Sequence, residues 1–256
     1  MSILYLLLAF IATTCGSMAG LGGGVIIKPV LDLIGIDSIA SISILSSATV
    51  FSMAAVSTAR QLHAGFRPQK RMMLLAAGAV LGGLAGSRLF TVISANISPQ
   101  SLKGAQALFL AGLLVIVLFK NRLPDFDIKN TVVSTLLGIM LGAIAAFLGI
   151  GGGPINVAIL CMFLAMSIKD AAIISLFIIL FSQGAKLTLV AVDTGFGVYE
   201  GLDKLLFMIP GGIIGGLIGA KLNRKLSELF IHRFFMVMVF GIICLNLYNA
   251  VNALLH

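Results

Sequence analysis

The sequence predicts an all-α integral membrane protein of two inverted-topology repeats, each with four long helices and a short broken or re-entrant segment. Three observations carry that prediction. The first is apolarity. The 256 residues are 59% hydrophobic and 10% charged, with a mean hydropathy of +1.14, a balance outside the range of soluble domains. The second is a pair of glycine breaks, Gly20-Leu21-Gly22-Gly23-Gly24 and Gly149-Ile150-Gly151-Gly152-Gly153. The third is that further matches follow them in the same order. Phe51-Ser52 and Thr58 return as Phe181-Ser182 and Thr188, and the glycine-rich run from Ala76 to Leu89 returns as Ile209 to Leu222.

Taken in order, the first apolar run spans Ile3 to Ala19 and ends at the first break. Consecutive glycines cost a helix about 1 kcal/mol each relative to alanine, so they interrupt it. A short segment, Val25 to Ile34, follows. Asp37-Ser38 is placed to cap the next helix, which runs from Ile39 to Ala59 and is rich in hydroxyls. A basic loop with Arg60, Arg67, Lys70 and Arg71 leads to helices over Met72–Ser94 and Leu102–Phe119. The charged stretch around Pro124 is the best linker. The chain therefore divides into a first repeat at 1–120, a cytoplasmic linker at 121–130 and a second repeat at 131–256. The second short segment is Pro154 to Met166.

Charge decides how the repeats are oriented. If each glycine break lay inside one continuous crossing, the halves would be parallel, with eight basic residues inside and six outside. If the chain turns back at each break, the halves are inverted. Arg60, Arg67, Lys70, Arg71, Lys120, Arg122, Lys129, Lys169, Lys221, Arg224, Lys225 and Arg233 then fall inside, twelve in all, with only Lys103 and Lys204 outside. Positive charge collects on the cytoplasmic side. The inverted arrangement follows, with both termini outside. The short segments are too brief to cross unaided and read as re-entrant or strongly tilted.

The same basic loops account for the net charge of +8 without nucleic acid. Cys15, Cys161 and Cys244 are odd in number and lie in apolar runs, so neither disulfides nor a metal site is expected. No cofactor motif, nucleophile elbow or intramembrane carboxylate pair stands out, which leaves a membrane enzyme without its chemistry. None of the nine acidic residues lies mid-span, whereas cation carriers usually keep one there. The charges within or near the membrane are Lys28, Arg88 and Lys186. That bias points to an anion.

The candidate binding residues are Gly22, Gly23, Gly24, Lys28, Ser47, Ser52, Gly151, Gly152, Gly153, Asn156, Ser182, Gln183 and Lys186. Each has a plainer alternative. The glycines expose backbone N–H groups at a helix start, which favours an anion, or they let two helices pack closely. Lys186 faces a polar cavity or snorkels to the interface. Lys28 faces the same anion or lies at the membrane surface. The hydroxyl row Ser43, Ser47, Thr49 and Ser52 hydrates an oxyanion or bonds neighbouring helices. Asn156 and Gln183 offer amide donors near the second break. Arg88 and Lys221, and the glycines around Gly82 and Gly215, read as interface anchors and packing faces.

Two GxGGG motifs, each closing an apolar run in a basic-looped chain of this length, resemble the sulfite exporter TauE/SafE family. The resemblance covers essentially the whole chain. It implies a carrier of small sulfur-containing anions, such as sulfite or sulfonates, in a prokaryotic plasma membrane. Related halves are also the usual build of secondary transporters, which rock one half against the other. Lys28 and Asn156 have no like partner in the other half, so a single asymmetric site is expected. A passive anion channel and a membrane subunit of a larger complex use the same residues and remain the alternatives.

Overall fold

The computed structural model describes residues 2–119 and 130–255. The linker at 121–130 lies outside them except for Asn130. Among the described residues there are ten α-helices and no strand: α1 (Ser2–Ala19), α2 (Gly24–Ile34), α3 (Ile39–His63), α4 (Lys70–Asn96), α5 (Pro99–Leu118), α6 (Thr131–Leu148), α7 (Gly153–Leu164), α8 (Ile168–Asp193), α9 (Leu205–Lys225) and α10 (Glu228–Leu255). Seven are long and apolar enough to cross a membrane: α3, α4, α5, α6, α8, α9 and α10. The protein is a multi-pass membrane protein.

Local chemistry sets the helix starts. Ser38, Ser98 and Ser167 each accept a bond from the backbone N–H three residues on, which satisfies one of the free donors of a first turn. Asp37 does not share the capping. It accepts from the Tyr5 hydroxyl at 3.0 Å and forms an ion pair with Lys204. Tyr5 is near the start of α1 and Asp37 just follows α2, so α2 returns to the face where α1 began. At 11 and 12 residues, α2 and α7 are each about 16–18 Å long, roughly half the thickness of a bilayer core.

The packing repeats when the two parts of the chain are exchanged. α1 lies against α9 as α6 lies against α4, and α3 against α9 as α8 against α4. α2 rests on α3 as α7 rests on α8, while α3 pairs with α8 and α5 with α10. Small residues make these approaches close. A methyl on Gly86 would stand 2.9 Å from the Ala143 carbonyl carbon, and one on Gly215 would stand 2.6 Å from the Phe10 carbonyl oxygen. These are the packing faces the sequence predicted, and van der Waals contact between such faces is what holds helices together in lipid. Large apolar side chains such as Ile11, Leu136, Val237 and Phe240 remain exposed on the outer surface, where lipid would cover them.

Candidate functional site

The two glycine breaks cross each other at the centre of the helix bundle. The same three motif positions in each are left-handed: Gly20, Gly22 and Gly23 have φ of 72°, 80° and 59°, and Gly149, Gly151 and Gly152 have φ of 66°, 81° and 71°. Side chains other than glycine rarely tolerate that backbone. After each turn the chain folds back on the helix it left. A Cβ on Gly23 would stand 3.2 Å from Thr13, and one on Gly152 would stand 3.0 Å from Ala145. The breaks then meet backbone to backbone. A Cβ on Gly24 would lie 2.7 Å from the carbonyl carbon of Ile150, and one on Gly153 would lie 2.6 Å from the Gly20 oxygen. The glycines therefore make a close crossing, and side chains around it carry the polar chemistry.

Lys186 is the centre of that chemistry. It is 2% exposed, so it does not snorkel. Its ammonium donates to Ser43 Oγ at 2.6 Å, Ser47 Oγ at 2.9 Å and the Ser43 carbonyl at 3.4 Å, and it stands 5.8 Å from the centre of the Phe90 ring. A Cβ on Gly149 would be 3.2 Å from it, so the ammonium lies beside the second break. No carboxylate is among its partners. Lys28 is also buried, donating to Gln106 Oε1 at 2.5 Å and the Leu148 carbonyl at 2.6 Å. The two lysines thus flank the C-terminus of α6, where the helix dipole gives a partial negative charge of about half an electron. That is too little to offset the Lys186 ammonium, while Lys28 shares a cavity with the Asp32 carboxyl. The starts of α2 and α7, whose dipoles are positive, add to the imbalance, and neither has a side-chain cap.

The amides complete the set. Asn156 and Gln183 are 0% exposed, and neither polar atom of either side chain has a hydrogen-bond partner among the described residues. Leaving such groups unpaired costs about 1–3 kcal/mol each, which is ordinarily recovered by a ligand or water. Asn156 Oδ1 is 3.2 Å from where a Cβ on Gly152 would be, which puts the amide at the crossing. Gln183 lies one turn before Lys186 on α8.

Two of the predicted residues contact neighbouring helices. Ser52 Oγ donates to the Thr49 carbonyl at 2.8 Å and borders Gly212 of α9. Ser182 Oγ donates to Ile179 O at 3.3 Å, and its backbone meets Gly83 of α4. Arg88 is an exposed anchor, paired with Asp193 at 3.1 Å. One residue escaped the sequence reading. Ser175 Oγ donates to Gly20 O at 2.8 Å and lies 3.4 Å from Gly153 O, tying the breaks together. Its signal was its register: Ser175, Ile179, Gln183 and Lys186 form one stripe at helical spacing.

The two GxGGG breaks that carry the resemblance in the sequence are the segments that cross here. The family model described as Sulfite exporter TauE/SafE matches residues 5–246. The chain belongs to the TauE/SafE family. Comparison with curated proteins and with solved structures gave no match. The TauE/SafE match runs from α1 to α10, so it takes in both glycine breaks, both lysines and both unpaired amides.

Proposed function

We propose that this TauE/SafE protein is a secondary carrier of small sulfur-containing anions, such as sulfite or organosulfonates, and that it works by alternating access. One observation carries the reading. Lys186 places its amine in the middle of the bundle, and among the described residues its polar partners are hydroxyls and a carbonyl. A charge buried that way is costly unless a counter-charge joins it. An oxyanion supplies the charge and also accepts from Asn156 and Gln183. In this reading Lys186, Ser47, Asn156 and Gln183 bind the anion, Lys28 contributes field, and Gly22, Gly23, Gly24, Gly151, Gly152 and Gly153 shape the wall. Ser52 and Ser182 act through helix packing.

The fold-back at each break, with Tyr5 bonded to Asp37, supports five segments in each half and hence inverted repeats spanning 1–120 and 131–256. Both termini then lie outside a prokaryotic plasma membrane, and the basic loops lie inside. Export is the favoured direction, because the inside-negative potential assists an outgoing anion by about 2.3 kcal/mol per charge per 100 mV.

A thermal-shift panel on purified protein tests the site. Sulfite, sulfate, thiosulfate, sulfoacetate and taurine are compared with carboxylates and chloride. A ligand at about 100 times its dissociation constant adds about 2.7 kcal/mol. A shift with sulfur oxyanions that disappears in Lys186→Met is expected. A cooperative melt unmoved by any of these anions would sink the assignment.

A further inference from the structure

A second polar cluster, away from Lys186, contains a carboxylate that the bundle has left unsatisfied. Asp32 is the single acidic residue of α2 and is 8% exposed. It lines a cavity of about 10 Å³, room for one water, together with Lys28, Lys103, Gln106 and Asn246. Its Oδ1 is enclosed and has no hydrogen-bond partner. Two ammonium groups stand nearby, and the hydrogen bonds they make go to neutral acceptors. Lys28 donates to Gln106 Oε1 and Leu148 O, and Lys103 donates to the backbone oxygen of Asp32 itself.

That arrangement is poor for a carboxylate, an acceptor that ordinarily gathers donors when buried. It suits a carboxyl group, which needs fewer. The other charged groups are few. From α2 there is Lys28 and from α5 Lys103. α6 presents Leu148 and α10 presents Asn246, both neutral. Asp37, in the adjoining groove, is already paired with Lys204 and Tyr5. That groove is about 200 Å³, opens to the surface, and is lined by Asp32, Asp37, Ser38, Gln100 and Lys103. Asp32 and Lys103 belong to both spaces, so Asp32 stands between surface water and Lys28.

We propose that Asp32 is a proton-binding site, supplied from this groove, and that its protonation sets the charge available around Lys28. The proton comes from water in the groove and joins a carboxylate oxygen, with no other bond made or broken. With Asp32 ionised, it offsets Lys28. With Asp32 protonated, Lys28 adds its full charge to the centre at the end of α6. Anion and proton then bind with positive coupling, and each raises the other's affinity by the same factor. This second step rests on the anion-carrier reading, whereas the proton site itself does not. A dianion moving with one proton still carries one net negative charge, so the membrane potential continues to help it outward.

The test has two arms. The first is infrared difference spectroscopy on the full-length protein, anion-free, between mildly alkaline and mildly acidic buffer, with aspartate isotopically labelled at the side-chain carboxyl. A carboxyl band should grow in the wild type, be absent in Asp32→Asn and be displaced in Asp32→Glu, which keeps a readout if the asparagine variant folds poorly. Identical spectra in wild type and variants would overturn the proposal and make Asp32 a fixed counter-charge. The second arm is the thermal shift with thiosulfate, which takes up no proton over this range. Wild-type affinity should rise by up to about tenfold per pH unit on acidification, and Asp32→Asn should show a clearly smaller rise over the same range. A present band with pH-independent thiosulfate affinity overturns the coupling. A present band with no thiosulfate shift at either pH upholds the proton site and counts against the anion reading instead.

Discussion

The two glycine breaks have nearly the same backbone and different side chains. Each puts its first, third and fourth motif glycines in left-handed conformations, and each starts a short helix without a side-chain cap. The residues that follow diverge. Counted from the start of each short helix, Ile27 stands where the second half has Asn156, Lys28 where it has Val157, and Asp32 where it has Cys161. The shared part is the part that touches its own counterpart. Each break is the wall against which the other packs, so a change in one must be met in the other. The divergent part carries different chemistry in each half: Asn156 lies at the crossing, whereas Lys28 and Asp32 line a neighbouring cavity.

The strongest way to break the comparison is to crowd the crossing. Gly24→Val and Gly153→Val should each cost about 3 kcal/mol or more, since backbone rather than a flexible side chain stands in the way. Thermal unfolding in detergent would show it, and one tolerated variant would mean the halves are not equivalent at the contact. Next comes Lys186→Met. It should abolish the anion-dependent shift and leave the anion-free protein as stable as before or more stable by about 1–4 kcal/mol, because a buried charge is replaced by an apolar chain of similar length. A large loss of anion-free stability would make the lysine structural.

Asn156→Ile copies the first half into the second. It should raise stability by about 1–2 kcal/mol, by removing an amide with no partner, and weaken anion binding in the same melts. The smallest effect is expected where the short helices end. α2 stops at Gly35 with φ 69° and α7 at Ala165 with φ 47°. Ala165→Gly should gain about 1 kcal/mol by relieving a left-handed alanine, and no gain would mean that α7's end is held by packing alone.

Much of this was legible in the sequence because it rested on local pattern. Apolar runs gave the helices, GxGGG gave the breaks, and a lysine fifteen or so residues into a span marked Lys186 as unusual. The polar cluster at Asp32 was not legible, since it assembles from residues far apart. Lys28 reaches Gln106 of α5 and Leu148 of α6, separations of 78 and 120 residues. Asp32 lies in a short helix near a turn and reads as surface-bound until α5 and α10 close over it. Ser52 and Ser182 differ in the opposite sense: they match between the two parts of the sequence, and their side of the helix meets glycines of a neighbouring helix. Helical spacing gives the face a residue is on and leaves open what that face meets.

The hydroxyl of Ser175 has one proton and two carbonyls within reach, Gly20 O at 2.8 Å and Gly153 O at 3.4 Å. If the crossing opens, the proton stays with the nearer oxygen. A helix of the second half would then travel with the break of the first. The helix contacts follow the same exchange, with α1 and α3 gathered on α9, and α6 and α8 on α4. Gene order and mechanical partnership therefore differ here: each moving body would be assembled from both ends of the chain, so neither repeat made alone would hold a complete lever.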